Sequence, residues 1–148
     1  MSGEPPDFTL EDAIAIARAA HEGQVDKGGM PYIGHPLRVM RRVEGPGQKM
    51  AAVLHDVLED TDVTAEALRA AGCPERVIDA VVALTKLPGE PLPASIARAL
   101  ADPIARVVKR ADIADNADAL RLARLDPATA DRLRAKYAES RRLLDLDG

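Results

Sequence analysis

The stretch that constrains this chain most is residues 51–61, AAVLHDVLEDT. Ala51, Ala52, Val53, Leu54, Val57 and Leu58 recur at helical spacing and make an apolar body. Threaded onto it are the neighbours His55 and Asp56, then the neighbours Glu59 and Asp60. His55 and Glu59 are four apart, as are Asp56 and Asp60, so on one continuous helix each pair stacks on a shared face. Four ionisable groups on so apolar a helix are costly to bury without partners. The face therefore meets either water or a cation.

Length and composition bound the choices. At 148 residues the chain is most simply one domain, residues 1–148, with an ordered core from about residue 8 to about residue 145. An apolar share of 47% with charges of both signs argues against disorder. A net charge of −4 gives no general reason to expect nucleic acid or an acidic membrane as partner. A polyanionic substrate would have to be met by a local cluster of cations or a metal. Cys73 is the single cysteine, which excludes an intrachain disulfide and fits a reducing compartment. No stretch approaches the ~18 unbroken apolar residues of a membrane span, and no basic-then-apolar leader is visible, so a soluble, cytoplasmic protein is expected.

The periodicity predicts helices throughout. Thr9, with Asp12 at the capping-box position, opens a stripe of Leu10, Ala13, Ile14, Ala17, Ala20 and His21 that Gly23 stops. His21 reads as a packed or capping histidine rather than a ligand. Residues 24–34 form a glycine-rich loop, after which His35-Pro36 places His35 at a helix mouth, as N-cap of a short helix over 36–43. The organising helix is expected over about 48–59. Thr64 caps a further helix ending at Gly72, and Pro74 opens one with Val77, Ile78, Val81, Val82 and Leu84 inward. Residues 87–93 are a proline-rich connector, and 94–101 are helical. Pro103 starts DPIARVVKRADIADN, whose stripe of Ile104, Val107, Val108, Ala111 and Ile113 runs beside Asp112 and Asn116. A last helix runs from Pro127 to about Leu144. With no alternating strand pattern, the expectation is an all-α, compact single-domain bundle of about seven or eight helices.

An adjacent His-Asp pair is common by chance and carries no function alone. Here His35 at a helix mouth and Asp112 within an apolar stripe add to it. Two imidazoles and two carboxylates make a mixed nitrogen and oxygen donor set suited to Mn²⁺, Fe²⁺ or Zn²⁺. The competing reading of Asp112 is a surface ion pair with Arg106 or Arg110.

The segments AHEGQVDKGGMPYIGHPLRV, AAVLHDVLEDT, ALTK and VVKRADIADN resemble, in order, the motifs of the HD-superfamily hydrolase domain of RelA/SpoT-type alarmone enzymes, above all the stand-alone small alarmone hydrolases. The resemblance runs from about Leu10 to Tyr137 and implies an HD-type helical fold. It implies that His35, His55, Asp56 and Asp112 are ligands of a metal, usually Mn²⁺ in this family. Glu59 and Asp60 match the pair associated with the nucleophilic water. Asn116 matches a sugar contact and Lys27 a basic residue beside the base; Lys86 is a further candidate for screening the phosphates. The implied reaction removes the 3′-pyrophosphate of ppGpp or pppGpp, giving GDP or GTP. The partner is then a small nucleotide, with oligomeric state left open.

Base recognition departs from the family pattern. Asp26 stands where many relatives carry an arginine that stacks on the purine, and a carboxylate cannot make that contact. Ala119 lacks the hydroxyl often found there, and Leu92 and Ser95 stand near the places of missing tyrosines. An adenine alarmone or an NADPH-like nucleotide is therefore an alternative substrate. A nucleotide-binding regulatory module with weak turnover is the alternative of another class, though it has little use for six intact catalytic-type side chains.

Overall fold

The chain is all-α, as its patterning predicts; this computed structural model describes residues 7–118, 122 and 124–146. Residues 1–6 and the Ala119 position lie outside the described residues. Helix α1 spans Leu10–Ala20 and begins as its sequence requires. The Asp12 N–H donates to Thr9 Oγ1 (3.1 Å) and the Thr9 N–H donates to Asp12 Oδ2 (2.9 Å), closing the capping box. His21 caps its other end and is buried.

The glycine-rich loop folds back through an isolated antiparallel bridge between Val25 and Pro31 and delivers the chain into α2, Gly34–Arg41. The residue before that helix is Ile33, so His35 sits in the first turn and not at the N-cap. Its N–H is used by the Tyr32 carbonyl at 3.0 Å, which winds the helix one residue earlier than Pro36 alone would. Gly45, at φ +93°, makes the turn that an L side chain would resist, and α3 (Pro46–Leu54) follows.

The organising helix is not continuous, which corrects the expectation of one helix over 48–59. It stops at Leu54, turns through His55 and Asp56, and resumes as α4, Val57–Asp60. The cause is local competition for one carbonyl. Ala52 O accepts from the His55 side chain, Nδ1 donating at 2.6 Å, so the backbone tightens to an i→i−3 contact of 3.5 Å. The turn brings His55 and Asp56 together, while the Asp60 N–H still donates to the Asp56 carbonyl at 3.0 Å, so that pair stays one helical turn apart.

Helices α5 (Ala65–Ala70), α6 (Glu75–Leu84), α7 (Leu92–Leu100), α8 (Ala105–Asn116) and α9 (Pro127–Leu146) complete the described elements. Thr64 Oγ1 caps α5 by accepting from the Ala67 N–H. Helix α7 begins before residue 94 because Pro93 is accommodated in its first turn. The main core joins α1, α2, α3, α6 and α8 around Val39, Val53, Leu54, Val57, Ile78, Val81 and Val108, with Cys73 packed into it. A smaller cluster of Ile96, Leu100, Ile113 and Leu144 pins α9 to α7 and α8. Val82 and Val107, expected inward, are exposed; Ala80 and Ala105 take the buried positions instead. No helix among the described residues is long and apolar enough to cross a membrane.

Candidate active site

Three parts of the chain converge on one buried point: the first turn of α2 with His35, the α3–α4 turn with His55 and Asp56, and α8 with Asp112. His35 Nε2 lies 2.9 Å from Asp112 Oδ1 and 4.0 Å from Asp56 Oδ2. His55 Nε2 lies 3.1 Å from Asp56 Oδ2 and 3.3 Å from Asp112 Oδ1. Both histidines and Asp112 are buried, which counts against the reading of Asp112 as a surface ion pair with Arg106 or Arg110; besides the two imidazoles, Lys109 Nζ stands 3.6 Å from it.

The arrangement fits a cation. Donor atoms held about 2.0–2.2 Å from one ion lie roughly 3 Å apart, the spacing of most of these pairs. His55 Nε2 is more telling. It is buried without a well-aligned hydrogen-bond partner, and it stands 3.1 and 3.3 Å from one oxygen of each carboxylate. His35, His55 and Asp56 each offer a ligand atom within 4.8 Å of the others, a mixed nitrogen and oxygen set suited to a divalent transition metal, and Asp112 Oδ1 stands beside that trio, 2.9 and 3.3 Å from the two imidazole Nε2 atoms.

Each donor is held from behind. His55 is fixed through Nδ1 on the Ala52 carbonyl, and His35 donates through Nδ1 to Asp115 Oδ2 at 2.7 Å. The Tyr32 hydroxyl donates to Asp56 Oδ2, and Asn116 Nδ2 donates to Asp112 Oδ1 at 3.0 Å. The rings of His21, Tyr32, His35 and His55 run in sequence, with centroids 5.0, 5.8 and 5.2 Å apart. Tyr32 thus belongs to the site, not merely to the core.

The titration behaviour follows from this crowding. Burial pulls the His55 imidazole down, but the charges of Asp56 and Asp112 outweigh it and hold it well above its ordinary value. His35 is raised too, burial being overcome by its contacts with Asp112 and Asp115. Burial lifts the Asp112 carboxyl, yet the His55 charge and the His35 contact hold it well below the usual carboxylate range. Asp56 is lowered for the same reason, chiefly by His55.

Glu59 and Asp60 separate in role. The Lys86 N–H donates to Glu59 Oε1 at 2.8 Å, so this carboxylate docks the segment after α6 against α4. That segment is locked from its other side by Arg98, which donates to the carbonyls of Val82, Ala83 and Thr85 and pairs with Glu90. Asp60 stands at the exposed rim of the site, and its carboxyl is pushed up by partial desolvation and then by the charges of Asp56 and Glu59.

A cavity of about 460 Å³ opens beside the cluster, lined by His35, Tyr32 and Asn116 at its polar end and by Val25, Met30, Leu122, Leu125, Leu133 and Tyr137 elsewhere, with Lys27 on its wall. Asp26 also borders it, but its Oδ1 accepts from the N–H groups of Gly28 and Met30, both at 2.9 Å, and so serves its own loop. Lys136 is a residue the sequence reading missed. Its amine is pulled down first by burial and then by the charges of Lys27, Lys109 and Lys86, and of these lysines Lys27 lines the cavity.

No protein-family model matches the chain. It is similar to a guanosine-3′,5′-bis(diphosphate) 3′-pyrophosphohydrolase of Vibrio cholerae, 41% identical over 90 residues, 57% of this chain and 13% of that protein. It is also similar to a GTP pyrophosphokinase of Streptomyces coelicolor, 35% identical over 124 residues, 76% of this chain and 15% of that one. The chain thus spans about a seventh of the length of these curated relatives. Among solved structures it matches a metazoan SpoT ortholog described as hydrolysing ppGpp, with TM-score 0.78 and 23% identity, covering 96% of this chain and 88% of that one. The fold is that of the HD-type helical hydrolases, and the sequence is similar to that of the RelA/SpoT-type ppGpp 3′-pyrophosphohydrolases.

Proposed function

We propose that the chain is a single-domain, cytoplasmic, metal-dependent hydrolase that removes the 3′-pyrophosphate of ppGpp or pppGpp, with His35, His55, Asp56 and Asp112 holding Mn²⁺. The observation that carries this reading is the buried His55 Nε2, close to one oxygen of each of two carboxylates and without a well-aligned hydrogen-bond partner. A divalent ion at that point supplies a water acidified toward neutrality and polarises the phosphoryl group.

The chain's own residues supply the rest. Asp60, its carboxyl already raised, takes the proton of the attacking water; a group so tuned is a better base near neutral pH than an ordinary aspartate. Attack at the phosphorus breaks its bond to the 3′ oxygen, which leaves on the nucleoside and gains a proton as the pyrophosphate departs. Glu59 holds the Lys86 segment at the edge of the site and so keeps that lysine near the leaving group. Lys27, Lys86, Lys109 and Lys136 meet the phosphates of a substrate that the net charge of −4 would otherwise repel. Asn116, tied to Asp112 and lining the cavity, faces the sugar.

One observation favours a second reading of the base. The cavity wall is largely apolar, with Tyr32 and Tyr137 beside its aliphatic residues, and Asp26 is committed to its own loop, so stacking and shape act on the base together with the charges of Lys27 and Arg124. An adenine alarmone or an NADPH-like nucleotide would meet the same wall. Assaying ppGpp, pppGpp, their adenine counterparts and NADPH side by side with Mn²⁺ tests both readings. Release of pyrophosphate from the guanine substrates supports the first, and turnover of another nucleotide alone supports the second. Tight binding of all without turnover would sink both in favour of a binding module.

A further inference from the structure

One buried acid is not accounted for by the candidate ligands, the water-handling pair or the phosphate-binding lysines. Asp115 lies on α8 one turn beyond Asp112, at 1% exposure, and is the most deeply buried carboxylate among the described residues. Its Oδ2 accepts from His35 Nδ1 at 2.7 Å. Arg38 Nε donates to both of its oxygens, at 3.1 and 3.2 Å, and Arg42 Nε stands 3.8 Å away. A carboxylate this deep is retained at a cost unless its charge is matched, and the α2 guanidiniums match it.

We propose that Asp115 is a positioning residue for His35, acting on metal binding through the imidazole and touching neither ion nor substrate. The proposal rests on the metal site proposed above. By accepting from Nδ1, Asp115 keeps a proton on that nitrogen, so that Nε2, which donates to Asp112 Oδ1 at 2.9 Å, is the nitrogen that would give up its proton and bind an ion at the point shared with His55 and Asp112. It also fixes the plane of the ring, which the single covalent link to α2 does not. The two histidines are held differently: His55 by the neutral carbonyl of Ala52, His35 by a full charge. A carboxylate partner makes the ring a stronger donor than a carbonyl does. His35 is thus the stronger of the two imidazole ligands, and α8 supplies both a ligand, Asp112, and the anchor of another. Arg38 and Arg42 complete a line from the surface of α2 through Asp115 to the ion.

The test compares wild type with Asp115→Asn, which keeps shape and volume, and with Asp115→Ala. Mn²⁺ affinity is read from the electron paramagnetic resonance of the free ion. The His35 ring is read by side-chain ¹⁵N resonances in the zinc-loaded protein, and helicity by circular dichroism. The expected result is a loss of about 10- to 100-fold in Mn²⁺ affinity at wild-type helicity, a shifted or lost His35 Nδ1–H resonance, and turnover restored by excess Mn²⁺. If the alanine variant fails to fold, the asparagine variant carries the test alone. Unchanged affinity in Asp115→Asn would overturn the proposal. So would a loss of affinity in which His35 keeps its wild-type resonance, because the effect would then not pass through the imidazole. Wild type binding no Mn²⁺ would instead overturn the metal site itself.

Discussion

The charge arrangement makes metal binding an exchange of protons for an ion, and the size of that exchange can be worked out. Without the ion, His55 is held well above its ordinary pKa by Asp56 and Asp112, and His35 is raised by Asp112 and Asp115. Both imidazoles therefore carry charge in a range where free histidine is losing it. The ion needs the Nε2 lone pairs, so each protonated ring must give up a proton on binding. One displaced proton makes apparent affinity rise about tenfold per pH unit, ~1.4 kcal/mol, and two make it rise about a hundredfold. From about pH 6 upward, for as long as one raised imidazole stays protonated, the Mn²⁺ affinity should therefore climb about tenfold per pH unit. Titration calorimetry in buffers of differing ionisation enthalpy should count between one and two protons released per ion. The stability of the metal-free protein moves the other way. A raised imidazole contributes stability that is complete below its unfolded pKa and lost as pH rises through its folded pKa. The lowered Asp112 and Asp56 contribute stability present above the carboxylate range and lost as pH falls through their folded pKa values. The metal-free melting temperature should thus fall toward alkaline pH while the metal-bound protein gains. A Mn²⁺ affinity that is flat across that range, with no proton released, would refute the reasoning, since the imidazoles would then be neutral beforehand.

Three other outcomes are expected. His55→Ala or Asp56→Ala should lose bound metal and turnover together, whereas Asp60→Asn should keep the metal and slow turnover by about 10²-fold or more; elemental analysis beside a pyrophosphate assay separates them. Lys136→Ala should raise KM for a tetraphosphorylated nucleotide severalfold at little cost in kcat, and more at low than at high salt, as steady-state kinetics across ionic strength would show. Thr9→Ala should cost about 1 kcal/mol by removing the α1 cap, measured by denaturant unfolding, and leave Mn²⁺ affinity unchanged.

Much of this was legible in the sequence, because much of it is local. The α1 cap needs only Thr9 and Asp12 three residues apart, and it forms as its spacing dictates. The convergence of His35, His55, Asp56 and Asp112 followed from ionisable groups interrupting apolar stripes and from the resemblance of the motifs that carry them. What was not legible depends on the third dimension. The apolar spacing from Ala51 to Leu58 is unbroken, and nothing in it announces the turn at His55; that turn arises because a buried imidazole takes its own helix's carbonyl. Asp115 is separated from His35 by 80 positions, so only the packing of α8 on α2 reveals their bond. Its one signal was ADIADN, which puts two acids a turn apart on one helix face. Glu59 and Asp60 look alike as neighbours, and the Lys86 N–H on Glu59 together with the crowding that raises the Asp60 carboxyl distinguishes them. Val82 and Val107 sit at the margins of their stripes, where small rotations of a helix decide burial.

The account stands or falls on the position of one ion. Crystals grown with Mn²⁺ and measured at the manganese absorption edge should show a single anomalous peak about 2.0–2.3 Å from His35 Nε2, His55 Nε2, Asp56 Oδ2 and Asp112 Oδ1 together. A peak held by other residues, or none at full Mn²⁺ loading, would contradict it.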